Sequence, residues 1–203
     1  ARGEVSVKAL QKRYPKEIAL NGKTVTLSLL TGTADQEEVL AFSRTLPAHD
    51  LLFLKRDIQE PKVISAWMQS IEDGEIASVV ARIDGEIVGT TAIVIDKHSW
   101  SSHVGELRIL VGPAAREIGL GRTLVQESFL LGLDLGLDKL TARMTIDQEA
   151  AISVFEELGF KTEAMLRDFV KDPDGKKHDL LILSHDVDVV HSQMQAYGMG
   201  EAF

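Results

Sequence analysis

The sequence contains no cysteine, which excludes disulfide bonds, thiolate metal sites and a cysteine nucleophile. Long hydrophobic runs are also missing. The longest apolar stretch, residues 128–137, is interrupted by two glycines and an aspartate, so we expect no contact with a membrane. Residues 1–20 mix charged and apolar side chains and lack the hydrophobic block of a secretory signal. These absences predict a cytoplasmic protein.

Basic residues are the minority among the charged side chains. The chain has 22 lysines and arginines against 31 aspartates and glutamates, which gives a net charge of −9. A nucleic-acid-binding protein normally presents a basic face, so we expect no nucleic-acid partner. The acidic balance is common among soluble proteins and is also compatible with a cationic substrate.

One domain accounts for most of the chain. Its 203 residues, of which 44% are hydrophobic, are enough to bury a substantial core, and they show no internal repeat and no low-complexity linker. We expect a single domain over residues 21–186, with an N-terminal extension at residues 1–20 and a C-terminal tail at residues 187–203.

Hydrophobic periodicity predicts a mixed α/β fold in the order β-α-α-β-β-β-α-β-α-β-β. The first strand follows an Asn21-Gly22 turn, and Asp84-Gly85 between two β-branched runs indicates a hairpin. The predicted strands are residues 24–30, 77–83, 86–95, 103–111, 140–146, 160–170 and 177–184, and the predicted helices are residues 35–46, 61–71, 119–135 and 149–158.

A pair of glycines marks the junction between the strand that ends at Val111 and the next helix. Gly119 and Gly121 let backbone amides turn inward where that helix begins, and the positive end of the helix dipole converges on the same point. Arg116 and Arg122 add positive charge, so the junction suits a phosphate or pyrophosphate. A dinucleotide fingerprint and a nucleotide P-loop are both excluded by the spacing. Taken alone, the glycine pair is equally consistent with close helix–strand packing.

The junction resembles the acetyl-CoA signature of the GNAT superfamily of N-acetyltransferases. The residues that carry this resemblance are Val111, Pro113, Arg116, Gly119 and Gly121. The later residues Ala151, Phe155, Gly159 and Phe160 resemble the next motif of that superfamily, at the expected distance. Residues 166–168 and 175–179 resemble a bacterial subset that acetylates protein N-termini, amino-acid analogues and small amines. Residues 1–75 match the family by layout only.

The resemblance implies a fold and a reaction. The fold is a mixed, mostly antiparallel twisted sheet flanked by helices, with coenzyme A bound where the central strands splay apart. The reaction moves an acetyl group from acetyl-CoA to a primary amine by direct attack in a ternary complex, without a metal. Many relatives are dimers, which leaves a homodimer open. The acceptor itself is not specified by the sequence, and neither is the preferred length of the acyl chain.

The family also implies which residues bind the cofactor. The backbone of the strand before the junction pairs with the pantetheine arm, the amides of residues 116–121 hold the pyrophosphate, and a strand amide near Leu110 or Val111 stabilises the oxyanion. Gln148 stands where relatives often have an asparagine. The implied cofactor-binding residues are Ile109, Leu110, Val111, Arg116, Glu117, Ile118, Gly119, Leu120, Gly121, Arg122 and Gln148.

Acetyl transfer to an amine needs a base, because an alkyl ammonium has a pKa of about 10 and must lose a proton before it attacks. Glu106 is the candidate base, since strand alternation places it on one face with Arg108 and Leu110. The other interpretation is a solvated or salt-bridged strand glutamate. His103, at the start of the same strand, is a second candidate, with a surface histidine as its alternative.

The sequence departs from the family pattern at the position of the general acid. Phe155 stands where many relatives have a tyrosine that protonates the leaving thiolate, so a non-catalytic acyl-CoA-binding or regulatory module is the alternative function. The histidines show no short helical spacing of a zinc site, so we expect no metal site. The six histidines are His49, His98, His103, His178, His185 and His191.

Overall fold

The computed structural model describes residues 10–187 of the chain. Its strands are β1 (Lys16–Leu20), β2 (Lys23–Leu29), β3 (Ile76–Ile83), β4 (Glu86–Val94), β5 (Val104–Val111), β6 (Lys139–Thr145), β7 (Lys161–Lys171) and β8 (Lys177–Asp186). Its helices are α1 (Gln36–Ser43), α2 (Pro61–Glu72), α3 (Leu120–Asp134) and α4 (Glu149–Glu157), and short 3-10 turns lie at Thr33–Asp35, Ala48–Leu51 and Pro113–Ala115. Within these residues no helix is long and apolar enough to span a bilayer.

The strands form one sheet in the order β1-β2-β3-β4-β5-β6-β8-β7. Neighbouring strands in this described sheet are antiparallel, apart from β5 and β6, which run parallel. This arrangement confirms the predicted mixed, mostly antiparallel fold flanked by helices. Hairpins build both ends of the sheet, and the single parallel pair lies near its middle.

The sequence interpretation was wrong about the first strand. Asn21 and Gly22 have φ of 46° and 77°, the left-handed pair that a tight two-residue hairpin turn needs. That turn joins β2 to β1, so Lys16–Leu20 belongs to the sheet, although residues 1–20 were expected to be an extension. The strand is short and half-exposed at a sheet edge, so its sequence carries little hydrophobic signal. Residues 188–203, nearly all of the expected C-terminal tail, lie outside the described residues.

Helices cover both faces of the sheet and enclose two apolar clusters. On one face α3 and α4 pack against the sheet through buried residues such as Leu107, Leu124 and Leu140. On the other face α1 and α2 pack through residues such as Ile64 and Leu110. Because side chains alternate along a strand, neighbouring residues of β5 contribute to opposite clusters. The central strand β5 therefore contributes side chains to the packing on both faces of the sheet.

Hydrogen bonds and ion pairs connect residues 13–16 to α3. The Tyr14 hydroxyl donates to Glu127 Oε2 at 2.7 Å, Lys16 pairs with the other oxygen of Glu127, and Arg13 Nε lies 2.8 Å from Asp134 Oδ2. Burial of the phenol, reinforced by its bond to Glu127, raises the pKa of Tyr14 and keeps it protonated as a donor. Glu127 is only 6% exposed, so Tyr14 and Lys16 replace the water that its carboxylate loses on burial.

Removal of the Glu127 carboxylate is expected to destabilise the fold. Glu127→Ala leaves a buried hydroxyl and a partly buried ammonium without their acceptor, so we expect the free energy of unfolding to fall by about 2–4 kcal/mol. Urea unfolding followed by circular dichroism measures the change. The control Glu156→Ala removes an exposed glutamate of α4 and should change stability by less than about 0.5 kcal/mol. Equal stability of Glu127→Ala and the wild type would contradict this role.

Candidate functional site

The two parallel strands separate part-way along their length. Pairing between β5 and β6 runs from Val104 and Lys139 to Leu107 and Ala142, and no further pair follows in the described sheet. Yet β5 continues to Val111 and remains paired with β4, while β6 continues to Thr145 and remains paired with β8. The facing edges of the two strands therefore diverge, and the β5 backbone near its end is open towards β6.

A cavity of about 470 Å³ occupies this divergence. The apolar side chains of Ile109 and Val111 form one wall and Met144 lies on the other, while α4 contributes Val154 and Phe155. We refer to this cavity as the cleft. Of the predicted cofactor-binding residues, those that line it are Ile109, Leu110, Val111, Arg116, Gly121 and Gln148. A narrow, mostly apolar cleft along an open strand edge suits a flexible chain that carries its own amide groups.

The remaining predicted binding residues lie around the cleft and do not line it. Leu120 is fully buried in the core beneath α3, and Ile118 packs against that core. Glu117, Gly119 and Arg122 are exposed. Any contact of these five residues with a ligand in the cleft would therefore come from backbone amides or from a reoriented side chain.

The start of α3 presents free amides at the rim of the cleft. Gly119 precedes the helix in the left-handed region, at φ 83°, and no side chain caps the helix. Because the first amides of a helix have no partner within it, those of residues 120–122 point outward at the positive end of the dipole. This is the geometry that binds phosphate groups in proteins.

Gly121 is not required by the protein's own packing. A Cβ built on it would meet only Val111 Cγ2, at an ordinary contact distance of 3.7 Å. Alanine is favoured over glycine in a helix by about 1 kcal/mol, so the fold alone would prefer a side chain here. The glycine instead leaves the helix backbone accessible from the cleft.

Both arginines of the junction are engaged in ion pairs. Arg116 binds Asp50 of the Ala48–Leu51 turn and also donates to the Val111 carbonyl at 3.4 Å. Arg122 lies 2.5 Å from Glu157 of α4. That these two side chains add positive charge for a bound anion stays a prediction. Exposed pairs of this kind contribute about 1 kcal/mol or less, so a bound anion can compete for either guanidinium.

Glu106 lies on the opposite side of β5 from the apolar wall of the cleft. Its carboxylate is 3.4 Å from Arg108 Nε, and its side chain is 19% exposed. The carboxylate is not among the groups that line the cleft. The second candidate, His103, precedes β5 at the end remote from the divergence and is exposed, which leaves it away from the site.

A second cavity, of about 200 Å³, lies on the Glu106 side of β5. Lys55, Arg56 and Arg108 line it, and no carboxylate is among its described lining residues. Trp67 also lines this cavity, and its indole N–H is buried without a hydrogen-bond partner in the described structure. Leu110 lines both cavities, so the two approach each other across β5. We call this space the cationic pocket.

Phe155 lies in the wall of the cleft and also belongs to the core. It is buried, and its ring packs edge-on against Phe160 with centroids 4.9 Å apart. Gln148 precedes α4 and lines the same cleft. The position of Phe155 agrees with its expected place in the site, and its ring has no proton to donate to a leaving group.

A cluster of two histidines and two aspartates lies beside the cleft and was missed by the sequence analysis. His49 Nε2 is 2.8 Å from Asp147 Oδ2, and His178 Nε2 is 2.8 Å from Asp172 Oδ2. The hydrogen bond from His178 holds the pKa of Asp172 below its ordinary value. Asp147 also lines the cleft. No spacing signal reveals this cluster, because its members come from distant segments of the chain.

Comparison with known proteins agrees with this geometry. The profile of the Acetyltransferase (GNAT) family matches residues 44–160, which is more than half of the chain. The chain belongs to this family. The resemblance read from the two sequence motifs is thereby confirmed. This GNAT protein is also 28% identical over 99 residues to the L-amino acid N-acetyltransferase AaaT of Escherichia coli, a match that covers 48% of the chain and 61% of that relative.

Solved structures share the fold of this GNAT protein at low sequence identity. Spermidine N-acetyltransferase from Vibrio cholerae, in complex with CoA and spermine, has a TM-score of 0.68 at 17% identity, with 81% of this chain and 96% of that chain covered. The Salmonella typhimurium protein yncA, with its cofactor acetyl-CoA, has a TM-score of 0.65 at 19% identity, with 80% and 94% covered. At these identities the similarity establishes the fold alone.

Proposed function

We propose that this GNAT protein transfers an acetyl group from acetyl-CoA to a primary amine by direct attack in a ternary complex. The observation that carries the proposal is the divergence of β5 and β6 beyond Leu107 and Ala142, which opens a cleft of about 470 Å³ ending at the uncapped start of α3. Family membership supports the reaction class. A cytoplasmic location and a homodimer stay predictions.

Acetyl-CoA fits the two parts of the site by chemistry. The open backbone edge of residues 109–111 offers partners to the amides of the pantetheine arm, and the apolar walls suit its methylene groups. The amides of residues 116–121, with Arg122 beside them, offer donors to the pyrophosphate. The Gln148 side chain lies within reach of a ligand in the cleft. A backbone amide near Leu110 or Val111 would stabilise the oxyanion that forms on the thioester carbonyl.

The acceptor approaches from the other face of β5. We place it in the cationic pocket, which meets the cleft at Leu110. Three cations line this pocket, so a polyamine would be repelled, while an amine that also carries an anionic group would be attracted. The acceptor class we propose is therefore a small amine with a carboxylate or similar anion, such as an amino acid or an amino-acid analogue.

The chemical step forms a bond between the amine nitrogen and the acetyl carbon and breaks the bond from that carbon to sulfur. Glu106, on the acceptor side of β5, is the residue we propose to take the ammonium proton, through water because its carboxylate does not line the cationic pocket. The leaving thiolate needs a proton that Phe155 cannot supply. The attacking nitrogen loses a second proton as the amide forms; that proton passes to the leaving thiolate and gives the free CoA thiol, while the proton taken by Glu106 is released to water.

Phe155 is the one observation that favours a second function, a non-catalytic acyl-CoA-binding or regulatory module. Release of the free CoA thiol, followed with and without candidate amines, separates the two. The enzyme releases thiol only when an amine is present, in an amount equal to the acetylated amine formed. Tight acetyl-CoA binding without amine-stimulated release would identify the module instead.

The approach of CoA to α3 is tested by Gly121→Ala. Its added methyl group fits the fold but projects towards the space that the proposal assigns to the pyrophosphate. We expect acetyl-CoA affinity to fall at least about tenfold, while the melting temperature stays equal or rises because alanine favours the helix. Calorimetric titration and thermal melting measure the two effects. Gln126→Ala, an exposed change on the same helix, is the control, and an unchanged affinity of Gly121→Ala would remove α3 from the site.

The role of Glu106 is tested by Glu106→Gln, which keeps the size of the side chain and removes its basicity. We expect kcat to fall about 100-fold with unchanged acetyl-CoA affinity. Part of the lost rate should return towards pH 10, where the acceptor amine loses its proton unaided. Glu86→Gln, at the exposed start of β4, serves as control. A kcat within twofold of the wild type would assign Glu106 to a structural ion pair.

The acceptor class is tested through Arg108. If this side chain attracts an anionic acceptor, Arg108→Gln should raise the KM for an amino acid about tenfold and leave the KM for acetyl-CoA unchanged. The wild type should also prefer amino acids to spermidine. Lys62→Gln, on the exposed side of α2, is the control, because it also removes one positive charge but lies outside the cationic pocket. Faster acetylation of spermidine than of amino acids would contradict the assignment.

A further inference from the structure

Two histidines and two aspartates converge where three separate parts of the chain meet. His49 belongs to the Ala48–Leu51 turn, Asp172 follows β7, and His178 lies at the start of β8. One potential ligand atom from each of these three lies within 4.8 Å of the others. We propose that His49, Asp172 and His178 form a binding site for a divalent transition metal, with zinc as the preferred ion.

The ligand types match zinc chemistry. Neutral imidazole nitrogens and a carboxylate oxygen are common zinc ligands, and three protein ligands leave a fourth position for water. Bonds of about 2.1 Å in tetrahedral geometry place ligand atoms about 3.4 Å apart. Donors that already lie within 4.8 Å of one another need only small side-chain rotations to reach that spacing.

The surroundings provide the outer contacts that a metal site uses. His49 is hydrogen-bonded to Asp147 at 2.8 Å. A metal-bound histidine typically donates a hydrogen bond of this kind from its other ring nitrogen to a carboxylate. The rings of His49 and His178 stand edge-on with centroids 5.1 Å apart, so no other side chain separates them. One of the two histidines therefore already has the outer contact that a metal ligand uses.

Charge and burial favour a dication over two independent hydrogen-bonded pairs. The side chains of His178 and Asp172 are only 8% and 13% exposed, and Asp147 adds a second carboxylate beside the same two rings. The cluster therefore brings together two carboxylates, that of Asp172 largely shielded from water and that of Asp147 half-exposed. A bound dication neutralises both at once.

Occupation of the site would fix one wall of the cleft. The Ala48–Leu51 turn carries His49, and its Asp50 binds Arg116 at the start of the α3 junction. A metal held by His49, Asp172 and His178 would join this turn to the β7–β8 hairpin. The proposal concerns this clamp alone and does not depend on acetyl transfer.

Metal-free full-length protein titrated with zinc tests the site directly. We expect one equivalent to bind with micromolar or tighter affinity, and cobalt in its place to give the visible absorption of a four-coordinate ion. His49→Asn should weaken zinc binding at least about tenfold, and zinc should raise the melting temperature of the wild type but not of this variant. His103→Asn removes an exposed histidine outside the cluster and should behave as the wild type.

The His49 side chain is partly exposed, so we expect its replacement to be compatible with folding, and circular dichroism of the variant checks this independently. Asp172→Asn provides a second variant with the same expected loss of affinity. Zinc binding weaker than millimolar in the wild type would overturn the proposal. Micromolar binding retained by both His49→Asn and Asp172→Asn would also overturn it, because the ion would then occupy another site.

Discussion

The parting of β5 from β6 is the constraint on which the rest of the site depends. Each strand keeps its other neighbour, β4 or β8, so both remain rigid while their facing edges diverge after Leu107 and Ala142. Backbone groups left on such edges must find partners, because an unsatisfied group away from water costs about 1–3 kcal/mol. A ligand with amides of its own satisfies them. The proposal places the pantetheine arm of acetyl-CoA at this edge, where its amides would replace water as hydrogen-bond partners.

The two faces of β5 have different chemical characters, and the proposed reaction needs both. The cleft side is apolar and ends at the free amides of α3, whereas the opposite side carries Arg108 and its neighbouring cations around a small pocket. Leu110 borders both spaces, so in the proposed reaction the thioester and the amine would meet at this point of β5. Glu106 stands on the acceptor side of that point. This division explains how an attack without a covalent enzyme intermediate is arranged in one domain.

Local sequence patterns predicted most of the fold, and long-range contacts account for what they missed. Glycine spacing and hydrophobic periodicity located α3 and the diverging strands, because these signals arise within a few residues. Strand β1 was not predicted, because an edge strand has few apolar residues to mark it. The Asn21-Gly22 turn that closes its hairpin was recognised. The ion pair between Arg116 and Asp50 was not predicted, because the two residues lie 66 positions apart in the sequence. The cluster around His178 depends likewise on tertiary packing.

Hydrogen exchange at the backbone amides tests the central claim most directly. Exchange is followed over the whole chain with and without acetyl-CoA. The account predicts slower exchange in two separate segments, residues 109–111 at the open edge of β5 and residues 120–122 at the start of α3, because these amides gain ligand partners. Protection confined to other segments, or none at saturating acetyl-CoA, would contradict the claim that the diverging strands hold the cofactor.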